Sequence, residues 1–324
     1  MRQKIPFKRA LPTNFEPQHL SLFQNALEGS FERAHAVMVK NATILQDTVF
    51  APGEFKFYSK YTHRSNLGIP QFSKRVANSV VKSWKRVPHG IWVIDEWSAN
   101  YFHWITDCLP RVWEGIRWTP GAPVILPDSY RQISYVEDSL KLAGVKVLFF
   151  KSSQNLWIDQ LIVTARTATF PNFDVELTLK SRKIFRQNPD KSPFRKVYLS
   201  RKRASKRKIL NELDLELMLI KRDFELVSGD DLSLEDQIKL MSETKLLVGI
   251  HGAALTNMLF LPDGAKVLEF RNESDVNNHC YFNLASALGI PYYYTVNSSN
   301  NADSVVADFT IDLDKLGAVL DKIV

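Results

Sequence analysis

Apolar runs of strand length alternate with helix-length amphipathic segments along most of this chain, and that alternation restricts the fold more than any other feature. IWVID (91–95), PVILP (123–127), KVLFF (146–150) and LIVTA (161–165) read as buried strands. A helix-like segment near 99–109 and the amphipathic SYVEDSLKLAG (134–144), which ends in glycine, lie between them. A second series begins with KVYLS (196–200) and runs through FELVS (224–228), KLLVGI (245–250), AKVLEF (265–270) and PYYYTV (291–296). Its helices are predicted over 209–222 and 232–244, the latter with Ser233 as N-cap. Strands separated by helices build βα units on largely parallel sheets. Between the two series, residues 166–195 lose apolar periodicity and gather FPNF, a polar helix-like piece at 175–187 and NPDKSP, the composition of a linker or hinge. The first 90 residues are irregular, with strand-like pieces such as AHAVMVKNATILQ and a turn signal at Pro52-Gly53. Two α/β halves with a cleft between them are expected, over 1–175 and 176–324, with residues 1–90 showing no regular pattern of their own.

Composition narrows the function. No stretch approaches the roughly 20 apolar residues of a membrane span, and MRQKIPFKRA has cations with no apolar segment behind them, so no secretory signal is expected there. Two cysteines, Cys108 and Cys280, give neither a disulfide framework nor a zinc spacing, and Cys108 reads as a small buried hydrophobe. A cytoplasmic setting is the simplest expectation. The formal net charge of +7 favours anionic partners. The run RKVYLSRKRASKRK (195–208) is dense in cations and has no acid. Such a run is a phosphate-binding loop, a solvated basic loop or a nucleic-acid patch, although no aromatic ladder or helix-turn-helix pattern accompanies it.

Open parallel sheets hold ligands beyond the carboxyl ends of their strands. In the second half those ends carry Arg201, Ser228-Gly229, His251-Gly252 and Arg271. Gly252 permits close backbone approach, and Ala253 is small enough to start a helix beside a ligand. The amides and dipole of a helix start attract anions. His251 and Asn257, about one turn along, are candidate donors to phosphate, and the alternative is a glycine turn beside a core histidine. Arg201 at a strand end and Arg207 near the next helix suit a diphosphate, because guanidinium is planar and always charged. Glu269 either accepts from ribose hydroxyls or pairs with a cation such as Arg271. In WSANYFHWITDCLPRVW (97–113), His103 and Asp107 are four apart and share a helix face. They are a general-base pair, or else Asp107 pairs with Arg111 and His103 packs among aromatics; Pro110 is expected to kink or end that turn.

Taken together, the blocks NYFHWITDCLPRVW, VYLSRKRASKRKILNE and GIHGAALTNMLFLPDGAKVLEF, with the later CYFNLASALGIPYYY, resemble in order and spacing the family 61 glycosyltransferases, whose bacterial members include capsular polysaccharide biosynthesis proteins. The resemblance runs from about residue 90 to the end. It implies a GT-B architecture, two Rossmann-like domains with parallel sheets facing across a cleft, and an inverting transfer needing neither metal nor cofactor. The nucleotide sugar, a UDP-sugar in this reading, lies mainly on the C-terminal domain, its diphosphate neutralised by Arg201, Arg207 and the helix start after His251. The base comes from the N-terminal domain, with Asp107 the first choice and His103 the reserve. The acceptor is a glycan or lipid-linked saccharide, which suits loose attachment to the inner face of the cell membrane. A pyruvyl or other group transferase on glycans is the enzyme alternative, and nucleic-acid binding through 195–208 is the non-enzyme one.

Overall fold

The computed structural model describes residues 4–33, 35–58, 61, 68–186, 192–202, 206–301 and 306–324. Residues 203–205 of the basic run and 187–191 of the NPDKSP stretch lie outside the described residues. The chain separates into two compact units, one spanning 33–169 and the other spanning 170–324 together with the N-terminal residues up to 32. That division sets the N-terminal residues with the C-terminal half, where the sequence pattern had grouped 1–175. In the N-terminal segment, β1 (Lys4–Lys8) pairs antiparallel with β2 (Glu28–Glu32). The residues between them pack onto the second unit. The Phe23 ring lies 4.8 Å from Tyr294 and 5.2 Å from Phe282, and Asn14 exchanges hydrogen bonds with the Tyr294 backbone.

The first unit is built on a mixed sheet. Its strands are β3 (Ala36–Leu45), β4 (Thr48–Ala51), β5 (Lys56–Phe57), β6 (Ser83–Trp92), β7 (Val124–Pro127), β8 (Val147–Phe150) and β9 (Gln154–Thr164), in the order β5-β4-β3-β9-β6-β7-β8. The segment β9-β6-β7-β8 is parallel, as the βα pattern predicts, whereas β3, β4 and β5 extend it antiparallel. IWVID supplies only the last residues of β6; the strand starts eight residues earlier, in a polar stretch that periodicity did not mark. After Trp92 the chain leaves the sheet through buried Val93 and Ile94 to half-buried Asp95.

A single helical run follows, α over Tyr101–His103, π over Trp104–Cys108 and α over Leu109–Trp118. Asn100 caps it, its side chain accepting from the Phe102 amide at 3.0 Å. Pro110 does not end the helix as expected. The wide turn just before it closes with the Leu109 amide on the Trp104 carbonyl, five residues back, which accommodates a residue with no N–H to give. Gly115 seats the run on the sheet: a Cβ there would lie 2.3 Å from Ile91 Cγ2, so a larger residue would lift this helix off β6.

The second unit carries a six-stranded sheet of β10 (Arg195–Leu199), β11 (Glu225–Val227), β12 (Thr244–Ile250), β13 (Lys266–Asn272), β14 (Tyr292–Ser299) and β15 (Phe309–Thr310), ordered β11-β10-β12-β13-β14-β15. All pairings are parallel except β14 with β15. Buried Tyr198, Val248, Leu268 and Phe270 on one face meet Leu215, Leu219, Leu316 and Leu320 from the covering helices. The Leu234–Ser242 helix begins where expected, Ser233 Oγ accepting from the Asp236 amide at 3.1 Å. Both units are thus α/β with sheets that contain parallel strands.

Candidate functional site

Two clusters of polar residues form, one at the strand ends of each unit.

In the first unit, His103 Nδ1 and Asp107 Oδ2 are 2.6 Å apart, and each side chain is 13% exposed. The i, i+4 spacing thus makes a dyad. Asp107 does not pair with Arg111. Arg111 is buried and turns inward, its Nη1 donating to Asp95 Oδ2 at 3.1 Å and its Nε to the Thr164 carbonyl at 2.8 Å. Arg166 lies between the two acids, its Nε 3.3 Å from Asp95 Oδ2 and its Nη1 3.7 Å from Asp107 Oδ2. Burial disfavours ionised Asp95, but Arg111 and Arg166 outweigh it and hold the carboxyl below its ordinary range. Burial likewise opposes charge on Arg166, and Asp107 and Asp95 more than restore it. Asp95 and Arg166 are the residues that the sequence reading missed. They follow the neighbouring parallel strands β6 and β9, so the strand-end rule applied to the second series would have found them in the first. Cys108 is buried, and its thiol is pushed up to about 12 by burial, as suits a small hydrophobe.

In the second unit, Arg201, Arg207, His251, Gly252 and Ala253 come together. Gly252 has extended backbone, so its value is space: a Cβ there would sit 2.5 Å from Arg201 Nη1 and 3.1 Å from its Cζ. Arg207 Nη1 donates to the His251 carbonyl at 2.8 Å. Arg207 has φ of 58° and lies in the loop before the Glu212–Ile220 helix rather than at its start. Ala253 opens a 3-10 helix, Ala253–Phe260, in place of an α-helix. Its first amides have no carbonyl behind them in the chain, which keeps the anion-attracting property of a helix start. The tighter winding carries Asn257 elsewhere. Its Nδ2 donates to Gln237 Oε1 at 2.8 Å, on the adjacent Leu234–Ser242 helix.

Glu269 is not at a strand end, because β13 continues to Asn272. It is fully buried, one carboxylate oxygen meeting His251 Nδ1 and the other accepting from the Tyr292 hydroxyl at 2.5 Å. Both oxygens are therefore engaged inside the protein, and none faces a ribose. Burial by itself would raise this carboxyl, but His251, Arg271 and the Tyr292 hydroxyl outweigh it and hold it below the carboxylate range. Arg271 is buried too, its Nη2 donating to the Asp275 carbonyl at 2.9 Å, so it is no surface cation. The second nitrogen of His251 sits 3.7 Å from Cys280 Sγ. Elsewhere the basic run is partly neutralised by its own unit: Arg195 pairs with Glu225 and Glu243, and Lys202 with Glu216.

His279 occupies the position before the Cys280–Leu288 helix, beside this cluster, and burial, then Arg271, push it down to about 4. The unfolded chain keeps it near 6.5, so between those values the unfolded state binds a proton that the folded state refuses. Stability is full above that window and falls as pH drops through it. Unfolding free energies from urea titrations at about pH 7 and about pH 5 are expected to differ by about 2 kcal/mol from this group, and His279→Gln is expected to flatten that difference.

The glycosyltransferase 61 model matches residues 101–268, just over half of the chain. The match takes in the His103–Asp107 dyad, both arginines and the turn at His251, and stops one residue before Glu269. The chain is similar to the EGF domain-specific O-linked N-acetylglucosamine transferase of Drosophila melanogaster, 40% identical over 112 residues, which is 33% of this chain and 21% of that protein. The corresponding protein of Rattus norvegicus is 37% identical over 117 residues, 35% of this chain and 21% of its own length. That of Bos taurus is 35% identical over 114 residues, 34% of this chain and again 21% of its own. The matched region is thus about a fifth of these relatives. With the family model matching more than half of its residues, the chain belongs to the glycosyltransferase 61 family.

Proposed function

We propose that this protein transfers a sugar from a nucleotide-sugar donor to a glycan or lipid-linked saccharide, with inversion and without a required metal, as a step in building a surface polysaccharide such as a capsule. Family membership supports sugar transfer, and the acetylglucosamine named for the relatives makes UDP-N-acetylglucosamine the first donor to test. In this reading the two units work as a GT-B pair. The second holds the donor diphosphate on Arg201, Arg207 and the first amides of the Ala253–Phe260 helix, and the first supplies the base from the His103–Asp107 dyad. The acceptor hydroxyl gives its proton to that dyad as its oxygen attacks the anomeric carbon, and the nucleoside diphosphate leaves into the arginine cluster. Glu269 acts as a positioning residue that orients His251.

The observation that carries the proposal is the seating of the Arg201 guanidinium against Gly252 while Arg207 holds the His251 carbonyl. Two fixed cations at a helix start are what a leaving diphosphate needs where no metal neutralises it. Titration calorimetry with UDP tests it. Arg207→Ala is expected to weaken UDP binding about 10- to 100-fold and UMP binding much less, each charge-assisted contact being worth about 1.5–3 kcal/mol. Equal UDP affinity in the wild type and the variant would overturn the assignment.

A further inference from the structure

Residues 55–94 hold eight Lys and Arg and neither Asp nor Glu, a local excess larger than the net charge of the whole chain, +7. The helix Ile69–Val81 lies in this stretch, on the first unit, and none of its residues is buried. One side is anchored. Phe72 meets Phe57 and Phe50 at ring distances of 4.4 and 5.5 Å, Arg75 forks onto Asp47 at 2.7 and 2.9 Å, and the Ser79 carbonyl accepts from Asn155.

The adjoining side shows hydrocarbon to solvent. Ile69, Val80 and Val81 are 82, 83 and 84% exposed, and Val76 lies in line with Ile69 and Val80. Two aromatics extend the patch. Trp84 is half exposed on the outer end of β6, and Phe55 is 82% exposed with a φ of 47°, which a bulky residue adopts only against strain. Phe55 also packs on Phe50, the ring that receives Phe72. Lys74 on the helix is exposed, Lys82 directly follows Val81 and is half-buried, and Arg86 stands on the same face of β6 as Trp84. Of the nearby acids, Asp47 and Asp159 are paired with Arg75 and Arg86, and Glu54, next to Phe55, accepts from the Tyr58 hydroxyl.

We propose that this face docks on an anionic lipid surface, with Ile69, Val76, Val80, Val81, Trp84 and Phe55 entering the interfacial layer and Lys74 and Lys82 meeting the headgroups. Branched aliphatic side chains next to tryptophan and lysine are the chemistry of an interfacial helix. A nucleic acid would use the cations and leave the exposed valines without a purpose. Among the described residues no helix is long and apolar enough to cross a membrane, so the contact is peripheral. A surface of this kind would hold the enzyme where a lipid-linked acceptor is displayed, although the docking itself does not depend on the donor site.

Co-sedimentation of the full chain with vesicles tests it. Phosphatidylglycerol mixed into phosphatidylcholine is expected to pull the protein down, and phosphatidylcholine alone is not. Val80→Asp with Val81→Asp is expected to weaken binding about tenfold or more, as is Lys74→Glu with Lys82→Glu, and raised salt is expected to weaken wild-type binding. None of these side chains is buried, so urea midpoints and UDP affinity are expected to stay at wild-type values, which separates this test from that of the donor site. Failure of the wild type to bind anionic vesicles at low salt would overturn the proposal. So would retention of binding by the double aspartate variant, which would reveal adsorption by charge alone, or tighter binding to a single-stranded oligonucleotide than to the vesicles.

Discussion

Asp107→Asn is expected to lower the rate of sugar transfer by about 10²- to 10⁴-fold while leaving UDP affinity unchanged. An amide keeps the shape of the carboxylate and still hydrogen-bonds to His103, but it cannot help take the proton of an attacking hydroxyl. The 2.6 Å contact between His103 Nδ1 and Asp107 Oδ2 makes the two side chains one unit. Residues that act as a unit are non-additive when removed. His103→Gln combined with Asp107→Asn should therefore fall no further than the worse single variant. Single-turnover assays with UDP-N-acetylglucosamine and a saccharide acceptor, beside calorimetry with UDP, read both quantities. Loss of UDP affinity in Asp107→Asn, or multiplicative losses in the double variant, would remove the dyad from its role.

Glu269→Gln is expected to destabilise the protein by about 3–5 kcal/mol, the usual cost of removing one partner from a buried charged network. Arg271 and His251 would lose the carboxylate that faces them, and the Tyr292 hydroxyl would have to share an amide oxygen with the His251 ring. Tyr292→Phe, which leaves the buried charges in place, should cost about 1–2 kcal/mol. Urea unfolding at neutral pH measures both. If Glu269→Gln were nearly neutral while UDP binding failed, Glu269 would be a ligand contact and its buried pairing would matter little.

The parallel strands of both units were legible because buried strands are continuous apolar runs with turn residues at their ends. The Ser233 cap and the His103–Asp107 dyad followed from local spacing, which a helix converts directly into geometry. What escaped notice has physical reasons. The first part of β6, SWKRVPHG, has a polar face to solvent and shows no buried run. The packing of Phe23 on Tyr294 joins residues far apart in sequence, which no local pattern records. ALTNMLF is apolar almost throughout, so its periodicity did not distinguish a 3-10 from an α-helix, and Asn257 was placed toward the ligand when it faces Gln237. Glu269 looked terminal because the apolar run stops at Phe270, yet Arg271 and Asn272 continue the strand with buried polar side chains.

In the proposed function the second unit grips a nucleoside diphosphate through Arg201, Arg207 and the start of the Ala253–Phe260 helix. A crystal structure of the protein soaked with UDP tests it most directly. Phosphate oxygens are expected within hydrogen-bond distance of the Arg201 guanidinium and of the Ala253 or Ala254 amide. Phosphates bound away from both, with Gly252 and the arginines untouched, would contradict it.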